Sequence, residues 1–251
     1  MGWHRKALRV YQWFERRLAP ELRPSYFDYT ETLLKHISMG ASWLEVDCGH
    51  RILPPNLRQT EKELAGKAIL VGIDYERASL LRHQTIPNLI RGDVGKLPFR
   101  ENSFDVVTAN WVVEHLNYPA RQFMEIRRVL KPGGVFIFHT PNLLSPLILI
   151  SHITPSRVKK RLIPLIFGYP EEDIFPTTYR ANTERGIRKI AEQVGFEVDE
   201  IRLVASCGHY QLIFLPPAAI IEMLMLKVIK RYRFLAHLRS NIVAVLRKPT
   251  H

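Results

Sequence analysis

Leu44-Glu45-Val46-Asp47-Cys48-Gly49-His50 is a short apolar strand running into a turn with one glycine. Alone it is a weak signal. It gains weight because Ala68-Ile69-Leu70-Val71-Gly72-Ile73 ends at Asp74-Tyr75, 25 residues beyond Gly49. A carboxylate there, at the end of the second strand of a doubly wound fold, can accept hydrogen bonds from both hydroxyls of a ribose. Trp43-Leu44-Glu45-Val46, Asp105-Val106-Val107-Thr108-Ala109 and Gly134-Val135-Phe136-Ile137-Phe138 are also of the length and composition of buried parallel strands. Helical candidates stand between them, at Thr60 to Ala65, Arg77 to His83 and Ala120 to Leu130. This alternation predicts an α/β fold: a Rossmann-like, doubly wound, mostly parallel sheet that binds ligands at the carboxyl ends of its strands.

Working outward, Leu8, Val10, Trp13, Phe14 and Leu18 recur at helical spacing before Pro20 and Pro24, and a second helix is expected over Tyr29 to Ile37, closed by Gly40. Residues 1–40 thus read as an N-terminal helical cap on a main domain spanning 41–215. A Pro-rich, basic and apolar insertion at about 143–180 reads as a lid. Thr183 to Gln193 reads as a helix capped at Asn182 or Thr183 and stopped at Gly195, followed by strands at Phe196 to Val204 and Tyr210 to Leu215. Residues 216–251 read as a basic amphipathic helical extension centred on Ala218 to Arg239.

The net charge of +12 is unevenly placed. Met1 to Pro24 has six basic and two acidic residues, Asn142 to Pro170 four and none, and Ala218 to His251 seven and one, so the rest of the chain is close to neutral. A nucleic-acid enzyme usually carries a basic body, whereas these basic segments are appendages rich in Leu, Ile, Trp and Tyr. The pattern disfavours nucleic acid and points to an anionic membrane surface. Cys48 and Cys207 are too few for a disulfide framework and lack zinc spacing. Leu212 to Leu226 is interrupted by Pro216, Pro217 and Glu222 and is shorter than the roughly 20 residues of a spanning helix. With no signal-peptide core after Met1, the expected location is cytoplasmic, peripheral at the inner face of a membrane. Glu171-Glu172-Asp173 reads as a solvated turn rather than a metal site.

Further motifs make the reading specific. Arg91-Gly92-Asp93-Val94-Gly95-Lys96-Leu97-Pro98-Phe99 leads through Asn102-Ser103-Phe104-Asp105 to Asn110-Trp111-Val112-Val113-Glu114-His115-Leu116, and Glu125 to Gly134 ends in Lys131-Pro132-Gly133-Gly134. In this order, from Trp43 to Asn142, the chain resembles class I S-adenosylmethionine-dependent methyltransferases, especially the group of ubiquinone and menaquinone biosynthesis enzymes. The resemblance implies S-adenosyl-L-methionine as cofactor. It would set Glu45 and the Asp47-Cys48-Gly49 turn near the methionine moiety, Asp74 on the ribose, Tyr75 against the adenine, Asp93 on the adenine amino group, Val94 at its edge, and Asn110 along the sulfonium side. Two positions depart from the family, which usually has glycine where this chain has Asp47 and Arg51. Asp47 can crowd or repel the methionine carboxylate, and Arg51 can offset that charge.

Methyl transfer by direct in-line displacement needs alignment and, for a hydroxyl or acidic carbon, a general base. His139, His115 and Tyr179 are the candidates, with His139, at the end of the fifth core strand, best placed to face a pocket. The acceptor is expected to be small or lipid-like. The competing reading is a catalytically inactive methyltransferase-like module that serves for interaction at a membrane surface.

Overall fold

A computed structural model describes residues 2–154, 177–206 and 216–250. In chain order these form α1 (Gly2–Leu18), α2 (Tyr26–His36), β1 (Ser42–Val46), α3 (Arg58–Lys67), β2 (Ile69–Asp74), α4 (Arg77–Arg82), β3 (Asn88–Arg91), β4 (Phe104–Asn110), α5 (Pro119–Val129), β5 (Leu130–Pro141), α6 (Pro146–Ile153), α7 (Glu184–Val194), β6 (Glu197–Val204), α8 (Pro216–Arg231) and β7 (Asn241–Arg247). The lid insertion from residue 155 to 176, Glu171-Glu172-Asp173 within it, and the whole of the strand expected over Tyr210 to Leu215 lie outside the described residues.

The chain divides into two compact units. One comprises Tyr26–Thr140, Thr177–Arg202 and Ile242–His251; the other comprises Met1–Ser25, Pro141–Pro176 and Leu203–Asn241.

The first unit is built on a seven-stranded sheet of order β3-β2-β1-β4-β5-β7-β6. β1 lies parallel to β2 and β4, β2 to β3, and β4 to β5. Gly133 and Gly134 of β5 exchange backbone hydrogen bonds with Lys248 (2.8 and 2.9 Å), and Asn142 N–H donates to Ser240 O (2.9 Å), so β7 runs antiparallel to β5. Trp43, Leu44, Val46, Val107, Phe136, Ile137 and Phe138 are essentially inaccessible. Each such side chain contributes about 1.5–3 kcal/mol by leaving water. Phe123 of α5 meets Phe136 edge-on, with ring centroids 5.2 Å apart. At α7, Thr183 Oγ1 accepts the Gly186 N–H (3.0 Å), and Gly195 closes the helix at φ 82°.

Three features differ from the sequence reading. β3 was not anticipated, because four residues with a half-buried Leu-Ile centre and polar ends carry almost no strand period. The expected C-terminal helical extension stops at Arg231, and after a 3-10 turn at Arg233–Leu238 the chain becomes β7, inside the sheet. Asn241-Ile242-Val243-Ala244-Val245-Leu246 is buried throughout, the signature of a strand covered on both faces. Finally, α2 belongs with the sheet rather than with a cap. Tyr29 and Leu33 are fully buried, and Asp28 takes an ion pair from Arg202 of β6 at 3.4 Å.

In the second unit α1 packs on α8. Tyr11, Ala19, Leu22, Ala205, Ala219, Met223 and Leu226 form its buried cluster, with Phe14 against it. Lys227 Nζ donates to Leu18 O at 3.1 Å, satisfying a carbonyl at the end of α1. The outward residues are apolar too: Val10 and Trp13 on α1, and Ile221, Leu224 and Val228 on α8, are exposed. At 100° per residue the three on α8 fall within about 60° of one another, a single stripe. Arg9, Arg16, Arg17, Arg231 and Arg233 are exposed around these residues. No helix among the described residues is long and apolar enough to cross a membrane.

Candidate active site

The parallel register sets Val46 beside Ile73 on one side and Ala109 on the other, so β1, β2 and β4 end together. Beyond Val46 the chain turns sharply, with Asp47 at φ 47° and Gly49 at φ 56°. The left-handed region costs a residue with a Cβ roughly 1–2 kcal/mol, so the turn at Asp47 is held against its own preference. What holds it is Asp74. Its Oδ2 accepts the Gly49 N–H at 2.8 Å, its Oδ1 accepts the Glu76 N–H at 2.7 Å, and Cys48 N–H donates to Ile73 O at 3.1 Å. A carboxylate offers about four lone-pair sites, so two remain after the backbone is served. A Cβ built on Gly49 meets nothing within 4 Å: the turn faces open space.

Not every residue of the turn points into that space. The Glu45 side chain is 1% exposed and accepts a hydrogen bond from the Thr108 hydroxyl, which in turn accepts from Trp43 Nε1. Burial pushes its carboxyl up to about 8. The Cys48 thiol is also buried, and a Cβ on Gly72 would meet its Sγ at 2.9 Å; burial pushes the thiol above its ordinary range. Glu45 and Cys48 therefore turn their side chains inward and leave only backbone at the surface of the turn. Asp47 is half-buried, and burial, then the charges of Asp74 and Asp93, raise it to about 7.

Beyond β2, Tyr75 is exposed, with the Arg91 guanidinium 5.5 Å from its ring centroid and Arg91 Nε donating to its carbonyl (3.1 Å). After β3, Asp93 Oδ1 accepts the Gly95 N–H (2.7 Å) in a tight turn that buries Val94 and leaves Asp93 exposed. Asn110, the last residue of β4, donates from Nδ2 to Ile52 O (3.0 Å) and turns its Oδ1 to His139 Nδ1 (2.9 Å), binding the β1 loop to β5. That orientation of the amide sets the proton of His139 on Nδ1.

Carboxylates at the ends of adjacent parallel strands around an open glycine turn suit a cofactor with a ribose diol and cationic groups. Comparison with known proteins narrows this. Residues 44–138 match the family model described as a methyltransferase domain. Residues 44–138 are a class I methyltransferase domain. The chain is 32% identical over 113 residues to a probable S-adenosylmethionine-dependent methyltransferase of Mycolicibacterium smegmatis, covering 43% of this chain and 41% of that protein. It is 30% identical over 108 residues to demethylmenaquinone methyltransferase of Staphylococcus haemolyticus, covering 41% and 44%. The match thus spans less than half the length of these relatives. Among solved structures, an S-adenosylmethionine-dependent methyltransferase from Mesorhizobium loti superposes with a TM-score of 0.56 over 87% of this chain and 95% of that one, at 17% identity.

The cofactor implied for such a domain is S-adenosylmethionine; Asp74, with two lone-pair sites left, and the exposed Asp93 are the residues that would accept its hydroxyl and amino donors. Arg51, expected beside the methionine carboxylate, is exposed two residues beyond the Gly49 turn. It lines a cleft with Arg58 and Arg82.

The candidate bases separate. His139 does not face a pocket: it is 0% exposed, stacked on Tyr29 of α2 (centroids 5.6 Å, 25°) and met edge-on by Trp111 (4.9 Å, 71°). At the end of β5, α2 covers His139 through Tyr29 and the loop after β4 covers it through Trp111. His115 is one-third exposed, on the 3-10 turn Val113–His115. The domain brings His115 and Tyr179 together around a residue the sequence reading passed over, Glu114. Its carbonyl accepts the N–H groups of Thr178 (2.7 Å) and Tyr179 (3.1 Å), its Oε2 accepts the Thr140 hydroxyl (2.9 Å), and its Oε1 is 4.0 Å from His115 Nε2. Asn182 Nδ2 completes the chain by donating to Thr140 Oγ1 (2.6 Å). Burial, partly offset by these hydrogen bonds, raises Glu114 to about 7; burial is also the main cause of the upward shift of the Tyr179 hydroxyl. Tyr179 itself is left-handed, at φ 52°. The available signal was a carboxylate inside the apolar run Trp111-Val112-Val113-Glu114, which only burial makes informative.

Proposed function

We propose that this chain transfers the methyl group of S-adenosylmethionine to a small or lipid-like acceptor. The observation that carries the reading is Asp74, held by the Gly49 and Glu76 amides at the end of β2 within a methyltransferase domain. When bound, the cofactor supplies an electrophilic methyl on a sulfonium. In this reading Asp74 holds the ribose, Tyr75, Asp93 and Val94 border the adenine, the Asp47-Cys48-Gly49 backbone borders the methionine, and Asn110 fixes the wall beside the sulfonium. The acceptor atom attacks in line, its new bond to the methyl carbon forming as the carbon–sulfur bond breaks. His115, with Glu114 behind it and Tyr179 beside it, takes the acceptor's proton. Calorimetric titration with S-adenosylmethionine tests this directly. Saturable binding to wild type that is lost in Asp74→Ala supports it, and no binding to folded wild type would favour the inactive interaction module.

A lipid-like acceptor is favoured by the relative that acts on demethylmenaquinone and by the unit formed by α1 and α8. There Trp13, Ile221, Leu224 and Val228 are exposed among arginines, a surface suited to the interface of an anionic membrane at its inner face. Residues 44–138 would then do the chemistry while this unit holds the chain at the lipid. Sedimentation with phosphatidylglycerol-containing vesicles should carry down wild type and leave Trp13→Glu/Leu224→Glu in the supernatant; wild type that stays in solution at low salt would sink the membrane part alone.

A further inference from the structure

Within the sheet unit, a cleft of about 220 Å³ opens between the loop after β1, the start of α3 and the end of α4, lined by Arg51, Arg58, Arg82, His50, Gln84 and Thr85 over Glu61. Its charge is unbalanced. Arg51 and Arg82 form no hydrogen bond or ion pair among the described residues, and Arg58 offers one N–H to the neutral amide of Gln84 (2.5 Å). The one carboxylate, Glu61, is 2% exposed and its Oε2 is taken up by the Leu53 N–H at 2.7 Å, with no ion pair to the arginines. Arg51, Arg58 and Arg82 are exposed at the rim of this open cleft, where three like charges share one face and an anion among them relieves their repulsion.

We propose that this cleft is a binding site for a phosphoryl group. Guanidinium forks match phosphate oxygens in pairs, and a phosphate dianion balances the excess of about two positive charges that one carboxylate would leave half compensated. The apolar wall of Leu53 and Pro55 gives room for the first carbons of an organic phosphate. The turn that supplies Gln84 and Thr85 is shaped in advance: His83 Nδ1 accepts the N–H groups of Thr85 and Ile86, each at 3.3 Å. Arg58, Arg82, Gln84 and Thr85 belong to none of the cofactor positions named above, so Arg82 tests the site independently of methyl transfer.

The test is calorimetric titration of the full chain with inorganic phosphate and, separately, with butyl phosphate, in a chloride buffer. Saturable one-to-one binding of either is expected, weakened roughly fivefold or more in Arg51→Ala and in Arg82→Ala. Arg51→Lys, which keeps the charge but not the fork, should fall between. Arg188→Ala, removing an exposed arginine paired with Glu184 on α7, should leave binding unchanged. Tighter binding of butyl phosphate would assign the site to the phosphoryl head of an organic ligand, and equal binding to free phosphate. Absence of saturable binding by the folded wild type, or equal loss in Arg188→Ala and Arg51→Ala, would overturn the proposal.

Discussion

Replacing Asp74 by alanine should act twice, on the turn and on the cofactor. Two backbone amides lose a charged acceptor, those of Gly49 at 2.8 Å and Glu76 at 2.7 Å. A hydrogen bond to a charged group contributes about 1.5–3 kcal/mol, and water can reach part of this open turn, so a loss of about 2–4 kcal/mol in stability is expected. The Asp47 and Gly49 backbone, both left-handed, is then free to relax. Cofactor binding loses the ribose acceptor as well. Two hydroxyl donors to one carboxylate come to about 3–5 kcal/mol, which at about 1.4 kcal/mol per tenfold is a weakening of some hundredfold or more. Asp74→Asn keeps one acceptor oxygen and turns a donor toward a backbone donor, so it should lie between. Urea unfolding measures the first effect, and titration with S-adenosylmethionine under conditions where all three proteins are folded measures the second. Affinity of Asp74→Ala within about threefold of wild type would refute the placement of the ribose on Asp74.

Asp47→Gly should accept the φ of 47° without strain and remove a carboxylate from the methionine side. Because Asp47 ionises near 7, wild-type affinity for the cofactor should fall as pH rises through that value, while the affinity of the glycine variant changes less; parallel titrations at pH 6 and pH 8 would decide it. Glu45 is protonated in the fold up to about 8 but ionised in the unfolded chain above about 4.3, so the native state binds the extra proton and stability falls as pH rises between these values. Glu45→Gln removes that dependence, and its melting temperature relative to wild type should climb from pH 5 to pH 8 and then level off; a constant difference would contradict the buried acid. Gly72→Ala puts a Cβ 2.7 Å from Ile86 Cδ1 and 2.9 Å from Cys48 Sγ, costing about 1–3 kcal/mol in urea unfolding, with partial recovery in the double variant with Cys48→Ala.

By itself the sequence determined the alternation of strands and helices, the turn after β1 and the carboxylate after β2, because these are local: an apolar run of strand length, a glycine, an acid at fixed spacing. The capping of α7 by Thr183 and Gly195 was legible for the same reason. Tertiary structure alone decided where side chains point once both faces of a strand are covered. His139 reads as a site residue from its position at a strand end and Glu45 from the family resemblance, yet α2 closes over the first through Tyr29, and Thr108 of β4 draws the second inward. Glu114 became a candidate because packing buried it beneath the Thr178–Tyr179 backbone, 64 residues along the chain. β7 escaped reading because its apolar run, continuous with a basic helical segment, has no period of its own; pairing with β5 made it a strand. Arg58 and Arg82 look like scattered surface charges in sequence, and only the packing of two helices against the loop after β1 sets them beside Arg51 along one cleft.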